Sequence, residues 1–283
     1  MTVERQYPKV AGDYLYASEV TGFAGFGTGS DGAIDLTTGS IVLHPGSIYH
    51  YSSFNLGANA KVVADGSPNY YPLVIYVQGN CTIAGSIDLL GKGLAGGGIG
   101  ANGTGYSSDI YTGGGVGAAA TANEGTQGYN LGLKYNSYTY ILNGTGGGGG
   151  ASNGYGQGGG GGVSSNSNGT CGGVGTNGDS SAGKGGYGGC SLFIVCGGNL
   201  ITSGRISTQG EPGQAGWGAN SNGGGGGGGG DIIILYDGTY TSGGVFNTSG
   251  GDGGTNTGAG GGGGNGGTGL LRVLSHKDMF WGK

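Results

Sequence analysis

The sequence predicts an all-β protein with a glycine-rich core and essentially no α-helix. Glycine accounts for 82 of the 283 residues, and a glycine inside a helix costs about 1 kcal/mol relative to alanine. No window shows the 3.6-residue apolar period of an amphipathic helix. Instead, a short apolar strand followed by a glycine turn recurs along the chain, a pattern typical of stacked β-units.

The distribution of glycine predicts three parts of the chain. Residues 1–93 contain 14 glycines, residues 94–269 contain 67, and residues 270–283 contain one. We therefore expect an N-terminal β-rich base over 1–93 and a glycine-rich domain over 94–269. A C-terminal strand with an aromatic tail, 270–283, is expected to return to the base.

Strands are predicted in the base at three short runs that are rich in β-branched or aromatic residues and bounded by glycine or proline. These runs are 41–44, 61–64 and 73–77.

An internal repeat predicts further strands. Segments 74–91, 192–210 and 232–250 each open with a four-residue apolar strand, turn at a glycine and end in a glycine–x–apolar–x–x–x–glycine pattern. Segment 270–273 opens a fourth copy, and segment 32–39 resembles a degenerate earlier one. Because β-units that recur with insertions stack their strands, we expect the glycine-rich segments between the units, termed excursions below, to project from one side of the stack.

Long glycine runs predict an ordered bundle of polyglycine II helices. The runs are 146–150, 158–162, 223–230 and 260–264, with shorter ones elsewhere. These extended threefold helices lack internal hydrogen bonds, so their N–H and C=O groups bond sideways to neighbours, and only glycine permits such close approach. The alternative is an unstructured linker, as glycine-rich segments often are. The strands predicted at both ends of each excursion argue against it.

The segments between glycine runs are rich in tyrosine, serine and asparagine, as antibody binding loops are. Loops displayed on a rigid scaffold commonly carry binding, so receptor contacts are predicted in segments 103–112, 126–143, 163–171 and 211–222. The candidate receptor-binding residues are Tyr106, Tyr111, Tyr129, Tyr135, Tyr138, Tyr140 and Trp217. Alternatively, the tyrosines close the end of the bundle or pair across a hairpin.

Charge and motifs argue against several function classes. The formal net charge is −5 and there are only three arginines, so nucleic acid is not an expected partner. No apolar run reaches the length of a membrane span, and the N-terminus lacks a signal-peptide pattern. No catalytic motif of a serine hydrolase, zinc protease or phosphate-binding loop occurs. We expect no enzymatic activity, no metal and no cofactor; segment 250–258 is only weakly similar to a calcium-binding nonapeptide.

The four cysteines, Cys81, Cys171, Cys190 and Cys196, are too few for a disulfide scaffold and lack the spacing of a zinc site. All except Cys171 border apolar runs, so we expect these three to be small buried apolar residues. The alternative is a single disulfide, from Cys171 to Cys190 or from Cys190 to Cys196.

The alternation of glycine-rich motifs with variable Tyr/Ser/Asn segments, after an N-terminal region of ordinary composition, resembles the tail-fibre tip adhesins of T-even-type bacteriophages. The sequence PLVIYVQGNCTIAGSIDLLGKG, residues 72–93, is also similar to segments that precede glycine-rich stretches in other phage tail and receptor-binding proteins. The resemblance implies a polyglycine II sandwich, an N-terminal domain that attaches it to the fibre, and distal loops that bind host outer-membrane proteins or surface glycans.

The expected function is therefore a non-enzymatic adhesin, made in the host cytoplasm and displayed on the virion. Its partners would be a host outer-surface protein or glycan and another virion protein, to which Phe280 and Trp281 of the aromatic tail would dock. The main alternative is a structural virion component, such as a capsid decoration, fibre or spacer protein. An ice-binding protein and a polysaccharide depolymerase are two further alternatives, and the tyrosine-rich interruptions argue against ice binding.

Overall fold

The computed structural model of the chain describes residues 26–65, 71–96, 182–217, 219–258 and 260–275. Within these ranges every helix or strand assigned is a β-strand, and no helix is present. Accordingly, no helix in these ranges is long and apolar enough to cross a membrane. The prediction of an all-β fold without α-helix is confirmed for the described part of the chain.

In the described part of the chain, thirteen strands form two sheets, and all pairings between these strands are parallel. In chain order they are β1 (Ala33–Leu43), β2 (Ile48–Tyr51), β3 (Ser53–Ala64), β4 (Leu73–Val77), β5 (Cys81–Ile83), β6 (Ser86–Asp88), β7 (Leu192–Cys196), β8 (Leu200–Thr202), β9 (Arg205–Ser207), β10 (Ile232–Tyr236), β11 (Tyr240–Ser242), β12 (Val245–Asn247) and β13 (Leu271–Ser275). The five-stranded sheet has the order β13-β10-β7-β4-β2. The eight-stranded sheet has the order β11-β8-β5-β3-β6-β9-β12, with β1 also paired to β3.

The repeated units stack as the rungs of a solenoid. Each complete rung has one strand in the five-stranded sheet followed by two short strands in the eight-stranded sheet: β4-β5-β6, β7-β8-β9 and β10-β11-β12. The register is constant, so that Leu73, Leu192, Ile232 and Leu271 align across four neighbouring strands. The predicted side-by-side stacking of the repeated strands is confirmed, and β13 is the opening strand of the fourth unit.

The main apolar core lies between the two sheets. Alternate residues of the five-stranded sheet, such as Ile75 and Ile194, are fully buried there together with Ile87 and Ile206 of the eight-stranded sheet. The intervening residues form a second buried cluster on the other face of the five-stranded sheet; it consists of Val74, Tyr76, Phe193, Val195 and Leu235. Because both faces of this sheet are covered, β4, β7 and β10 are continuous apolar runs rather than alternating ones.

Glycine-rich segments continue from the strands and bond to one another through their backbones. Segment 221–231, which contains eight consecutive glycines, is buried throughout. Its N–H groups donate to two neighbours with a three-residue period, unlike the two-residue period of a strand. Gly223, Gly226 and Gly229 donate to carbonyls of segment 260–270, whereas Gly224, Gly227 and Gly230 donate to carbonyls of segment 208–216.

These segments form two layers of opposite direction. Segments 182–190, 221–231 and 260–270 run parallel in one layer, since Gly183, Gly186 and Gly189 donate in turn to the carbonyls of Asn222, Gly225 and Gly228. Segments 208–216 and 247–257 form the second layer and run antiparallel to the first. Segment 221–231 is therefore bonded to segments on either side within its layer and to both segments of the other layer.

Candidate functional site

The described glycine-rich segments reverse direction at the end of their layers that is remote from the sheets. Segment 208–216 follows β9 and segment 247–257 follows β12, and their far ends are joined by hydrogen bonds. The Gly216 N–H donates to the Thr255 carbonyl oxygen at 2.9 Å, and the Thr257 N–H donates to the Ser221 carbonyl oxygen at 3.0 Å. Residues 214–217, 219–222 and 255–258 are termed the tip below.

The backbone of the tip is fixed by the neighbouring segments. Asn222 is buried, and its Oδ1 accepts a hydrogen bond from the Gly261 N–H at 2.6 Å. The Ser221 N–H donates to the Thr257 Oγ1 at 3.0 Å. Gly258 has a φ of 54°, which a glycine adopts at little cost where the chain turns. Side chains at the tip are thus presented from a backbone that has partners on several sides.

Trp217 is the most exposed large apolar side chain among the described residues. Its exposed fraction is 77%, and the next highest is 64% for Val245, which lies in β12 of the eight-stranded sheet. Gly216 before it is buried, and a Cβ at Gly216 would lie only 2.6 Å from the Cβ of Ser221. The indole therefore projects from a closely packed backbone. Tryptophan is enriched in binding hot spots because it combines a large apolar ring with an N–H donor.

Around Trp217 the tip has amide and hydroxyl groups but no charged side chain. Gln214, Thr255 and Asn256 are exposed, and the Asn256 side-chain amide donates to the Gly260 carbonyl oxygen. The preceding acidic residues, Glu211 and Asp252, lie outside the tip. This set of groups can bind a partner by ring stacking and neutral hydrogen bonds. The exposed Lys184, whose carbonyl oxygen accepts from the Gln214 N–H at 2.8 Å, adds a cation beside the tip.

The groups with shifted pKa lie in the sheets and not at the tip. Burial, with Tyr49 and Asp31 nearby, raises the pKa of Tyr51 to about 12. Burial also acts to raise the pKa of Asp88, but the Lys61 ammonium at 2.8 Å and the Leu90 N–H outweigh it, so this pKa is lowered. Within the described ranges no group of three or more His, Cys, Asp or Glu residues could hold a metal ion.

The candidate residues from the sequence divide between described and undescribed parts of the chain. Trp217 is described and exposed. The other receptor-binding candidates lie outside the described residues; these are Tyr106, Tyr111, Tyr129, Tyr135, Tyr138 and Tyr140. Phe280 and Trp281, predicted to dock to the virion, also lie outside them. Among these candidates, the described residues therefore place Trp217 alone.

Sequence reasoning missed the second part of the tip, residues 255–258. The hydrogen bonds of Thr255 and Thr257 place it beside Gly216 and Ser221. The sequence did contain a signal for residues 255–258, namely their position. They lie between two glycine-rich stretches, one repeat after segment 211–222. No protein-family model, curated protein or solved structure matches the chain.

Proposed function

We propose that the protein is a non-enzymatic bacteriophage adhesin that binds a host-cell surface receptor through loops on a polyglycine scaffold. The observation that carries this proposal is the exposed Trp217 ring on a tip whose backbone is held by hydrogen bonds. A preorganised backbone reduces the entropy lost on binding. An aromatic ring adds contact area while immobilising only two side-chain torsions.

We further propose that the scaffold is a bundle of polyglycine II helices. Its support is the three-residue period of the hydrogen bonds donated by segment 221–231, which equals the period of that helix. Close packing agrees with it: a Cβ at Gly224 or Gly227 would overlap the carbonyl oxygen of Lys184 or Tyr187. In such a bundle, backbone hydrogen bonds and weak Cα–H···O contacts take the place of side-chain packing.

The two sheets and the aromatic tail would form the base that docks to another virion protein. In this proposal the chain is made in the host cytoplasm and acts on the surface of the particle. Its receptor is a host outer-surface protein or glycan. The uncharged amide and hydroxyl groups at the tip suit either receptor, since both offer neutral hydrogen-bonding groups.

Binding of the labelled, purified protein to host cells tests the contribution of Trp217. We expect Trp217→Ala to weaken binding about 30-fold or more, because a hot-spot side chain contributes about 2 kcal/mol or more. Stability should hardly change, since the ring is 77% exposed. Val245→Ala, which removes an exposed apolar group at the sheets, is the matched control and should bind normally. If the two variants bound host cells equally well, Trp217 would not be part of the receptor-binding site.

The principal alternative is a structural virion component with no receptor, such as a capsid decoration, fibre or spacer protein. The two functions differ in a competition experiment. Excess purified adhesin should occupy the receptor and reduce adsorption of the phage, whereas excess spacer protein should leave adsorption unchanged. Loss of competition in the Trp217→Ala variant would connect the effect to the tip.

A further inference from the structure

Two buried cysteines from different sheets meet in the main core. Cys81 begins β5 in the eight-stranded sheet, and Cys196 ends β7 in the five-stranded sheet, on the next rung. The Cys81 N–H donates to the Asn199 carbonyl oxygen at 2.9 Å, and the Cys196 Sγ lies 3.5 Å from that same oxygen. The Cys196 Sγ is also 3.5 Å from the carbonyl oxygen of Gly79, two residues before Cys81. The Asn199 carbonyl oxygen, which both residues contact, and the Gly79 carbonyl oxygen therefore place the Cys196 sulfur beside the backbone of Cys81.

We propose that Cys81 and Cys196 are a disulfide-forming pair that joins the two sheets when the reduced protein meets a peroxide. In the structure the sulfurs of Cys81, Cys190 and Cys196 are thiols rather than disulfides, and all three side chains are fully buried. Thiols stay reduced in the cytoplasm, so oxidation would follow release into an oxidising medium. The pair would form whether or not the protein is an adhesin.

The environment assigns different roles to the two sulfurs. The hydrogen bond from Cys81 stabilises the Cys196 thiolate and lowers the pKa of Cys196, assisted by the backbone N–H groups of Gly198 and Cys81 and opposed by burial. The same hydrogen bond, together with burial, raises the pKa of Cys81. Because the thiolate is the reactive form of cysteine, this difference favours Cys196 as the nucleophile and Cys81 as the resolving thiol, and the same disulfide results if the order is reversed.

The reaction balances with hydrogen peroxide as the oxidant. The Cys196 thiolate attacks one peroxide oxygen; an S–O bond forms, the O–O bond breaks, and the hydroxide released takes up a proton to become water. Cys81 then attacks the sulfenic sulfur of Cys196 and gives up its thiol proton, so that an S–S bond forms, the S–O bond breaks and the hydroxide leaves with that proton as a second water. The two thiols lose two electrons and two protons, and the peroxide is reduced to water. A molecule of this size can reach the buried sulfurs during brief local opening.

The bond would close a loop of more than one hundred residues that contains segment 97–181. A crosslink across a long loop restricts the unfolded chain and thereby stabilises the folded one. We expect the melting temperature of the oxidised protein to rise by several degrees, and reductant to reverse the rise. Oxidation of an unpaired thiol to a sulfinic acid would not be reversed in this way.

Peptide mapping of the full-length protein tests the pairing. After peroxide treatment, the remaining thiols are alkylated, and the unfolded protein is digested without reductant. Trypsin places Cys81 in peptide 62–92, Cys171 in 135–184, and Cys190 with Cys196 in 185–205. We expect peptide 62–92 linked to 185–205, with the loss of two hydrogen masses. Chymotrypsin, which cleaves after Leu192 and Phe193, separates Cys190 from Cys196 and should leave the link on Cys196.

Cys190 provides the matched control. It is equally buried, but its Sγ bonds to the carbonyl oxygens of Ser191, at 3.5 Å, and Tyr71, at 3.8 Å. Cys190→Ser should keep the link, whereas Cys196→Ser should lose it. A link to Cys171 or Cys190, or four alkylatable thiols after peroxide treatment of wild-type protein, would overturn the proposal. Mapping of the wild-type protein decides the outcome even if a variant fails to fold.

Discussion

At the scale of single residues, glycine acts in this protein mainly through its lack of a side chain. Gly227 lies in the middle of the buried segment 221–231, and a Cβ there would collide with the carbonyl oxygen of Tyr187. Its φ lies outside the left-handed region, so alanine could adopt its backbone conformation. The constraint at Gly227 is therefore close approach between backbones.

This constraint predicts a difference between two glycine-to-alanine substitutions. Gly227→Ala should lower the free energy of unfolding by roughly 1–3 kcal/mol, as overpacking a core does. Gly262→Ala is the control, because the nearest atom to a Cβ there, Oδ1 of Asn256, is 3.7 Å away. Where space and φ allow alanine, the substitution reduces the entropy of the unfolded chain, so this variant should be as stable as wild type or slightly more stable. Denaturant unfolding measures both, and equal effects would contradict close packing at Gly227.

At the scale of elements, strands and glycine-rich segments are continuous, and Asp231 marks one junction. The Gly183 N–H donates to the Asn222 carbonyl oxygen, and the Leu192 N–H donates to the Asp231 carbonyl oxygen. Both pairs are separated by the same number of residues, so the register between the two segments does not change where β7 and β10 begin. Asp231 is buried; its Oδ1 accepts from the Leu270 N–H at 2.8 Å, and its own N–H donates to the Ser191 Oγ at 2.7 Å. Its carboxylate thus connects two neighbouring segments of one layer just before β10 and β13 begin.

Removing this carboxylate should weaken the junction. Asp231→Ala leaves the part-buried Leu270 N–H without its acceptor, so the free energy of unfolding should fall by about 1 kcal/mol or more. Asp231→Asn keeps an acceptor oxygen and should fall between alanine and wild type. The exposed Asp252 is the control, since its replacement by alanine should change stability by less than about 0.5 kcal/mol. Thermal and denaturant unfolding of the three variants gives the order; a fully stable Asp231→Ala variant would refute this role.

The sequence predicted some elements well and others poorly, for physical reasons. β4 occupies the predicted run, because a strand buried on both faces is apolar at every position. The predicted run 61–64 is only the end of β3, which begins at Ser53 and alternates buried with more exposed residues. Gly57 and Ala58 break its apolar pattern, while pairing with β1 and β5 maintains the strand. At the tip, Trp217 could be predicted from its residue type alone. Residues 255–258 could be placed beside it only from the hydrogen-bond register between the glycine-rich segments.

At the scale of the molecule, the sheets and the glycine-rich layers share one hydrogen-bond network. Segment 221–231 is buried and leads directly into β10, and segment 182–190 leads directly into β7. Because the hydrogen bonds continue from the glycine-rich segments into the strands without a change of register, we expect the segments and strands to unfold together as one cooperative unit. An unstructured glycine linker would instead exchange its amide hydrogens freely, whatever the stability of the sheets.

Hydrogen exchange distinguishes these two behaviours. In native protein, peptides that cover 221–231 should exchange as slowly as those that cover β7 and β10, and added denaturant should accelerate all of them equally. The same peptides in the unfolded protein give the unprotected rates for comparison. Fast exchange in 221–231 beside slow exchange in β7 and β10 would contradict the ordered bundle and make the glycine run a tether. Slow, coupled exchange would mean that the tip is held by the same unit that forms the core, so that a force applied at the tip is transmitted to the sheets through backbone hydrogen bonds.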